Sequence, residues 1–207
     1  MLSVIHVLGS MLMMFSITYV LPIATAIIYD DGHLVDFVVA AVVCVVVGAL
    51  VWAATRRHKR ELRSRDGFML VTLAWILMSA IATVPLLMAL PELSFTDAFF
   101  ETMSGLSTTG ATVLVGLDFL PPSINLWRHA LNWYGGMGII VLVVAILPLL
   151  GVGGMQLYKA ETPGPVKNEK LTPRITQTAK ALWFVYFLIT VACIVSLKAV
   201  GMGWFDA

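Results

Sequence analysis

The sequence SFTDAFFETMSGLSTTGAT occupies residues 94–112 and combines a short helical pattern with a run of small residues. Ser94 and Asp97 have the Ser/Thr-x-x-Asp/Glu spacing of a capping box, and the apolar residues that follow recur at helical intervals. A helix over residues 95–106 would be about 18 Å long, which is roughly half the thickness of a bilayer. The pattern therefore predicts a re-entrant helix that enters the membrane and stops there.

The small residues after this helix, residues 107–112 (STTGAT, the filter loop), form the candidate site. Small side chains around one glycine let successive backbone carbonyls point at a common axis. The helix before them ends in partial negative charge, which favours a cation over an anion. The candidate cation ligands are the backbone carbonyl oxygens of four residues: Thr108, Thr109, Gly110 and Ala111. On composition alone the alternative stays open that STTGAT is only a tight connector.

The composition places the whole chain in a membrane. Of its 207 residues 59% are hydrophobic and 12% are charged, whereas soluble domains carry about 25% charged residues. A soluble core cannot bury so much apolar surface. Long uncharged runs, rather than short alternating ones, indicate transmembrane helices.

Five uncharged or nearly uncharged runs are long enough to cross the hydrocarbon core of a bilayer. They are residues 4–28, 37–54, 67–90, 130–150 and 181–197. The predicted fold class is an all-α integral membrane protein with five transmembrane helices plus one re-entrant pore helix and filter loop.

The basic residues predict the orientation of these spans. Eleven of the 13 Lys and Arg residues lie either between spans two and three or between spans four and five. Cytoplasmic loops carry the excess of such residues, so both loops are predicted to be cytoplasmic, as is the N-terminus. The acidic residues Asp30, Asp31 and Asp36 then face outward. We interpret them as loop solvation, with attraction of cations to a pore mouth as the alternative.

Two enzymatic interpretations of the filter region fail on specific residues. The segment 105–112 resembles a phosphate-binding loop, but Ala111 stands where that motif needs its lysine. Ser107 with His129 would suggest a serine hydrolase, yet the sequence has no G-x-S-x-G motif and no positioned acid. We therefore predict neither enzymatic activity nor a bound cofactor.

Several sequence blocks, in the same order, resemble the Trk/Ktr/HKT-type potassium transporters over nearly the whole chain. The blocks are RRHKREL at 56–62, SRDGF at 64–68, FTDAFFE at 95–101, TTGAT at 108–112, GGMGII at 135–140, GGMQL at 153–157 and LTPRI at 171–175. The resemblance implies four helix, pore-helix, helix repeats around one pathway, preceded by an extra helical pair. It also implies that the filter-loop carbonyls bind K⁺ and that Asp97 anchors the pore helix.

The resemblance also gives the domain organisation. Residues 1–55 would form an N-terminal two-helix hairpin, 56–66 a basic cytoplasmic loop, 67–150 the first complete repeat, 151–180 a second cytoplasmic loop, and 181–207 the first helix and the start of the pore region of a second, incomplete repeat. An internal echo supports this division, because residues 204–207 (WFDA) repeat the pattern of residues 95–98 (FTDA).

The expected partners also follow from the resemblance. Besides the lipid bilayer, they are the remaining repeats of the transporter, a second copy in a homodimer, and a cytosolic nucleotide-binding ring of the TrkA type. No nucleic acid is expected. The implied location is the bacterial inner membrane. The alternative function is that of a non-conducting truncated fragment acting as a membrane scaffold or assembly piece.

Three further expectations concern packing. Gly135, Gly136 and Gly138 would let helices approach closely. Prolines at positions 22, 85 and 148 would kink their spans. Five tryptophans near predicted membrane boundaries would serve as interfacial anchors: Trp52, Trp127, Trp133, Trp183 and Trp204.

Overall fold

The structure, a computed structural model, describes residues 2–56, 64–146 and 171–207. Within these ranges the regular structure is entirely helical. The helices are α1 (Leu2–Phe15), α2 (Val20–Tyr29), α3 (Leu34–Thr55), α4 (Ser64–Ala82), α5 (Val84–Ala89), α6 (Phe95–Leu106), α7 (Pro122–Ile146) and α8 (Leu171–Ala199), with short 3-10 turns at Ser16–Tyr19 and Leu117–Phe119. The chain divides into two compact units, Met1–Gly136 and Met137–Ala207.

Four helical segments in the described ranges are long and apolar enough to cross a membrane. They are Leu2–Tyr29, Leu34–Thr55, Asp66–Ala89 and Gln177–Ala199, which correspond to predicted spans one, two, three and five. The all-helical class is thereby confirmed. Predicted span four is helical as far as Ile146 but is not among the four, and residues 147–150 lie outside the described residues. Predicted span four, and with it the total of five spans, stays a prediction.

Helices α1 and α3 of the N-terminal hairpin (α1–α3) pack backbone to backbone. A Cβ atom on Gly9 would lie 2.7 Å from the backbone nitrogen of Trp52 and 2.8 Å from the carbonyl oxygen of Gly48. Only glycine fits there. In lipid the hydrophobic effect does not drive helices together, so such close packing is a main source of their association.

The first and third spans are interrupted near their prolines, where the sequence predicts kinks. Pro22 follows the 3-10 turn that separates α1 from α2, and Pro85 follows the break between α4 and α5. Each proline lacks the N–H that would bind the carbonyl four residues earlier. Those carbonyls belong to Thr18 and Ile81. Pro148 lies outside the described residues.

Tyrosine hydroxyls from neighbouring helices bind both carbonyls. Tyr134 donates to the Thr18 oxygen at 3.4 Å, and Tyr19 donates to the Ile81 oxygen at 3.3 Å. An unpaired carbonyl in hydrocarbon costs several kcal/mol. These two bonds therefore make the proline breaks tolerable inside the membrane.

Trp127 lies at the centre of the main core and is not an interfacial anchor, so that expectation is wrong for this residue. Its side chain is fully buried. The indole stacks on Tyr19 with ring centroids 4.6 Å apart and meets Phe37 in an edge contact. Its Nε1–H donates to the carbonyl oxygen of Ala82 at 3.1 Å. Because an internal acceptor satisfies the N–H, the indole does not need the wet membrane interface.

Gly135 brings α7 into direct contact with the end of α6, which confirms the close approach expected there. A Cβ atom at this position would overlap the carbonyl group of Leu106, with the carbonyl carbon only 2.7 Å away. The obstacle is backbone, so it cannot rotate aside.

We expect Gly135→Ala to lower the free energy of unfolding by about 1–3 kcal/mol, the usual cost of overpacking. Gly67→Ala is the matched control, because Gly67 is also helical and a Cβ there meets nothing within 4 Å. Thermal unfolding of both variants in detergent measures the difference. Equal melting temperatures would contradict the close contact.

Candidate functional site

Helix α6 spans Phe95–Leu106, the bounds predicted from the sequence. Its capping box is present, because the Ser94 hydroxyl oxygen accepts the Asp97 N–H at 3.1 Å. The Ser94 hydroxyl in turn donates to the Asp97 carboxylate at 2.7 Å. Further along, the buried Thr102 hydroxyl donates to the Ser79 carbonyl of α4 at 2.9 Å. Asp97 thus caps α6 at the end remote from the filter loop.

The filter loop begins as a Schellman motif at the C-terminus of α6. The Thr108 N–H donates to the Gly105 oxygen at 2.9 Å, and the Thr109 N–H donates to the Ser104 oxygen at 2.9 Å. Thr108 has φ +60°, a left-handed position that usually holds glycine. A side chain there costs roughly 1–2 kcal/mol. Such strain concentrates at functional sites.

Three consecutive carbonyl oxygens of the filter loop are left available. Gly110, with φ +72°, donates its N–H to the Ser104 oxygen at 3.3 Å, so the N–H groups of residues 108–110 all bind the end of α6. Their carbonyl oxygens accept no hydrogen bond from any part of the chain that the structure describes. The Ala111 oxygen accepts the Ser104 hydroxyl at 2.7 Å and keeps one lone pair free. The donors of the loop are therefore bound to α6, while these acceptors have no hydrogen bond within the described ranges.

A buried ion pair holds the segment that leaves the filter loop. Glu101, 5% exposed, accepts the Val113 N–H and the Thr112 hydroxyl through Oε1, each at 2.6 Å. Its Oε2 accepts Arg128 Nε at 3.0 Å. Arg128 also donates to the Thr112 hydroxyl oxygen at 2.9 Å. The carboxylate therefore joins α6, α7 and the outgoing chain.

Sequence reasoning assigned no role to Glu101 or Arg128, although a signal was available. Glu101 is a charged residue inside the otherwise apolar stripe of a half-length helix, and Arg128 is the single basic residue between positions 92 and 150. A charge at membrane depth is costly unless it is paired. Two opposite charges in this region were therefore candidates for a buried pair.

Two of the three acidic residues predicted to face outward, Asp31 and Asp36, make specific contacts. Asp31 Oδ2 accepts the Ser123 N–H at the start of α7 at 2.8 Å, and Asp31 Oδ1 accepts the His33 N–H at 3.2 Å. Asp36 lies 2.8 Å from the His33 Nδ1. Burial alone would raise the pKa of Asp31, but the hydrogen bonds from Ser123 and His33 outweigh it and lower the pKa. Asp31 thus caps α7 as a carboxylate.

The candidate second pore region shows one turn. Trp204–Asp206 forms this turn, and the Ala207 N–H donates to the Gly203 oxygen at 3.0 Å. The predicted start of a second pore helix here stays a prediction. Most of both basic loops, at residues 57–63 and 147–170, lies outside the described residues, so the predicted orientation is likewise untested.

A comparison with known protein families matches most of the chain. Positions 33–201 match the TrkH family model, described as a cation transport protein. The chain belongs to the TrkH family. This is a family of transport proteins rather than enzymes, in agreement with the sequence analysis.

Individual TrkH relatives extend the match across the chain. The Trk system potassium uptake protein TrkH of Vibrio parahaemolyticus is 54% identical over 206 residues, which cover 99% of this chain and 42% of that protein. TrkH of Escherichia coli K12 is 50% identical, covering 99% of this chain and 43% of the relative. TrkG of the same strain is 42% identical, covering 99% and 42%. The chain therefore spans about two fifths of the length of these relatives.

The fold agrees as well. The crystal structure of the potassium transporter TrkH from Vibrio parahaemolyticus superposes with a TM-score of 0.83 at 47% identity, over 99% of this chain and 41% of that one. The helical arrangement described above is thus that of a TrkH protein.

We expect Glu101→Gln to destabilise the chain by about 3 kcal/mol, because it leaves the Arg128 charge buried without a counter-ion. Glu92→Gln is the control, since Glu92 is exposed in the turn before α6. Chemical or thermal unfolding in micelles compares the two. A loss no larger than that of the control would rule out the ion pair as a structural element.

The lowered pKa of Asp31 predicts a pH dependence. A depressed pKa contributes stability above the ordinary value of 3.8 that is lost as the pH falls through the folded-state pKa. Asp31→Asn keeps an acceptor oxygen for the Ser123 N–H but removes the negative charge from the start of α7. Its free energy of unfolding should therefore be lower than that of wild type at neutral pH, by about 0.3–1 kcal/mol, and the gap should close in acid. Asp30→Asn, at the neighbouring exposed residue, should show no such gap. A gap independent of pH would contradict the charged cap.

Proposed function

We propose that this chain forms part of a potassium uptake pathway, in which K⁺ passes a filter built from backbone carbonyl oxygens. The ligands are the oxygens of Thr108, Thr109 and Gly110, with the remaining lone pair of Ala111. One observation carries the proposal: the N–H groups of residues 108–110 are bound to the end of α6, while their carbonyl oxygens have no partner in the described ranges. The names of the relatives, potassium uptake proteins, support K⁺ as the ion.

Physical chemistry adds the requirement for further loops. Removing the water from a bare ion costs tens of kcal/mol, so a filter must replace nearly the whole hydration shell. One loop approaches the ion from one side and supplies only part of that shell. The pathway therefore needs equivalent loops around the same axis, which is the four-repeat arrangement that the sequence resemblance implies.

The proposed setting is the bacterial inner membrane, crossed five times with the N-terminus in the cytoplasm. The basic residues at positions 56–65 and 159–180 support this orientation. We include in the proposal a homodimer and a cytosolic nucleotide-binding ring of the TrkA type that contacts the two basic loops. The name Trk system, borne by the relatives, supports associated components.

The test compares two glycines of the same loop segment that have the same backbone conformation. Gly110 has φ +72° and Gly116 has φ +71°, and neither would place a Cβ closer than 3.5 Å to another atom. Gly110→Ala and Gly116→Ala thus introduce the same strain, roughly 1–2 kcal/mol. Only Gly110 lies among the proposed ligands. We expect Gly110→Ala to reduce K⁺ uptake about tenfold or more and Gly116→Ala to leave it within a factor of about two.

Uptake is measured in a K⁺-uptake-deficient bacterium that expresses either the chain itself or a chimaera. In the chimaera the chain replaces the matching segment of Vibrio parahaemolyticus TrkH. Uptake by the chimaera that fails in Gly110→Ala alone supports the filter. Equal losses in both variants would refute the ligand assignment. A chimaera that reaches the membrane but carries no K⁺ would refute the transport function and favour the scaffold alternative.

A further inference from the structure

Helix α7 contacts the N-terminal hairpin along one of its faces. The Ser123 N–H binds Asp31, the Trp127 ring stacks on Tyr19, and the Tyr134 hydroxyl binds the Thr18 oxygen. Residues 127 and 134 follow residue 123 by 4 and 11 positions. At about 100° per residue, the three positions lie within about 40° of each other around the helix axis. The hairpin therefore holds α7 at three levels over about 17 Å.

The adjacent face of α7 holds the filter loop and the end of α6. Arg128 binds Glu101 and Thr112. A Cβ atom on Gly105 would lie 3.0 Å from the Leu131 side chain, and Gly135 touches the Leu106 carbonyl. Positions 128, 131 and 135 share a face that is turned roughly 90° from the hairpin face.

Together these contacts make α7 the connection between the hairpin and the filter loop. A helix is a stiff element, so a displacement of α7 at Ser123 also displaces Arg128, which lies five residues further along the same helix. The hairpin stands outside the helix, pore-helix, helix repeat and supplies no filter residue. We propose that the N-terminal hairpin is a positioning element for the filter, with Asp31 fixing the outer end of α7 so that Arg128 and Glu101 hold the chain that leaves the filter loop.

Backbone strain in the filter loop explains why the loop needs support from outside. Thr108 occupies a left-handed conformation that an isolated loop would avoid. The bonds from Thr112 and Val113 to Glu101 hold the loop from its far side. Those bonds depend on a carboxylate that Arg128 neutralises, and the place of Arg128 depends on how α7 is seated. Loosening α7 at Asp31 should therefore release amides that lie far from Asp31 in sequence.

Hydrogen–deuterium exchange on the chain itself, in lipid nanodiscs, tests this directly. The variants are Asp31→Asn and Tyr134→Phe, which weaken the hairpin contact at its outer and inner ends, and Asp30→Asn is the control. We expect exchange of the Val113 and Leu114 amides to rise about fivefold or more in both variants, the factor that about 1 kcal/mol produces. The control should match wild type.

Exchange that rises only at residues 122–126 in Asp31→Asn would overturn the proposal, since the cap would then be a purely local feature. If Asp31→Asn loosens the whole chain, Tyr134→Phe decides by the same amides. Unchanged exchange at Val113 and Leu114 in that variant would also overturn it.

The consequence for transport rests on the proposed function and is measured separately. In the chimaera, Asp31→Asn should lower the ratio of K⁺ to Na⁺ uptake about fivefold at equal protein levels, a change that mere loss of protein would not produce. A wild-type chimaera without K⁺ uptake would refute the proposed function but leave the exchange result standing. Normal uptake with an unchanged ion ratio would refute the positioning role.

Discussion

A carbonyl group that loses its helical partner inside a membrane has no water to replace it, and this constraint accounts for much of the structure. Pro22 and Pro85 each free one carbonyl, and each is met by a tyrosine hydroxyl from another helix. The carbonyl of Ala82, at the second break, is met by the Trp127 indole. These hydrogen bonds fix the positions of the Tyr19, Tyr134 and Trp127 side chains, and the rings of Tyr19 and Trp127 are fully buried in the core. These contacts, which join the hairpin to α4 and α7 and α7 to α4, thus lie where the backbone is broken.

Against that background the filter loop is the exception. Three consecutive carbonyl oxygens, those of residues 108–110, accept no hydrogen bond in the described ranges. The N–H groups around them do have acceptors, which include the Ser104 carbonyl and the Glu101 carboxylate. A buried ion pair and a strained threonine hold the loop in this conformation. This arrangement is the one that the proposed cation filter requires.

The sequence predicted what is local and missed what is long-range. The bounds of α6 were predictable because Ser94 and Asp97 cap it within one turn, and the filter loop was predictable because its small residues are adjacent. The bond between Asp31 and Ser123 joins positions 92 residues apart, and no local pattern marks it. Gly9 and Gly48 carry no mutual signal either. Trp127 was misassigned because its position near a span end resembles that of an anchor, whereas its burial depends on rings from the hairpin.

The separation between Asp31 and Ser123 also has a consequence in time. A membrane protein is made from its N-terminus, so the hairpin enters the bilayer while α7 has yet to be synthesised. The segment 94–112 follows after α4 and α5, and it too is made before Ser123 and Arg128. During that interval Glu101 lacks the Arg128 counter-ion, and only the bonds to the end of α6 hold the turn at Thr108. The final conformation of the filter loop therefore forms late in biogenesis, when α7 packs against a hairpin that is already in the membrane.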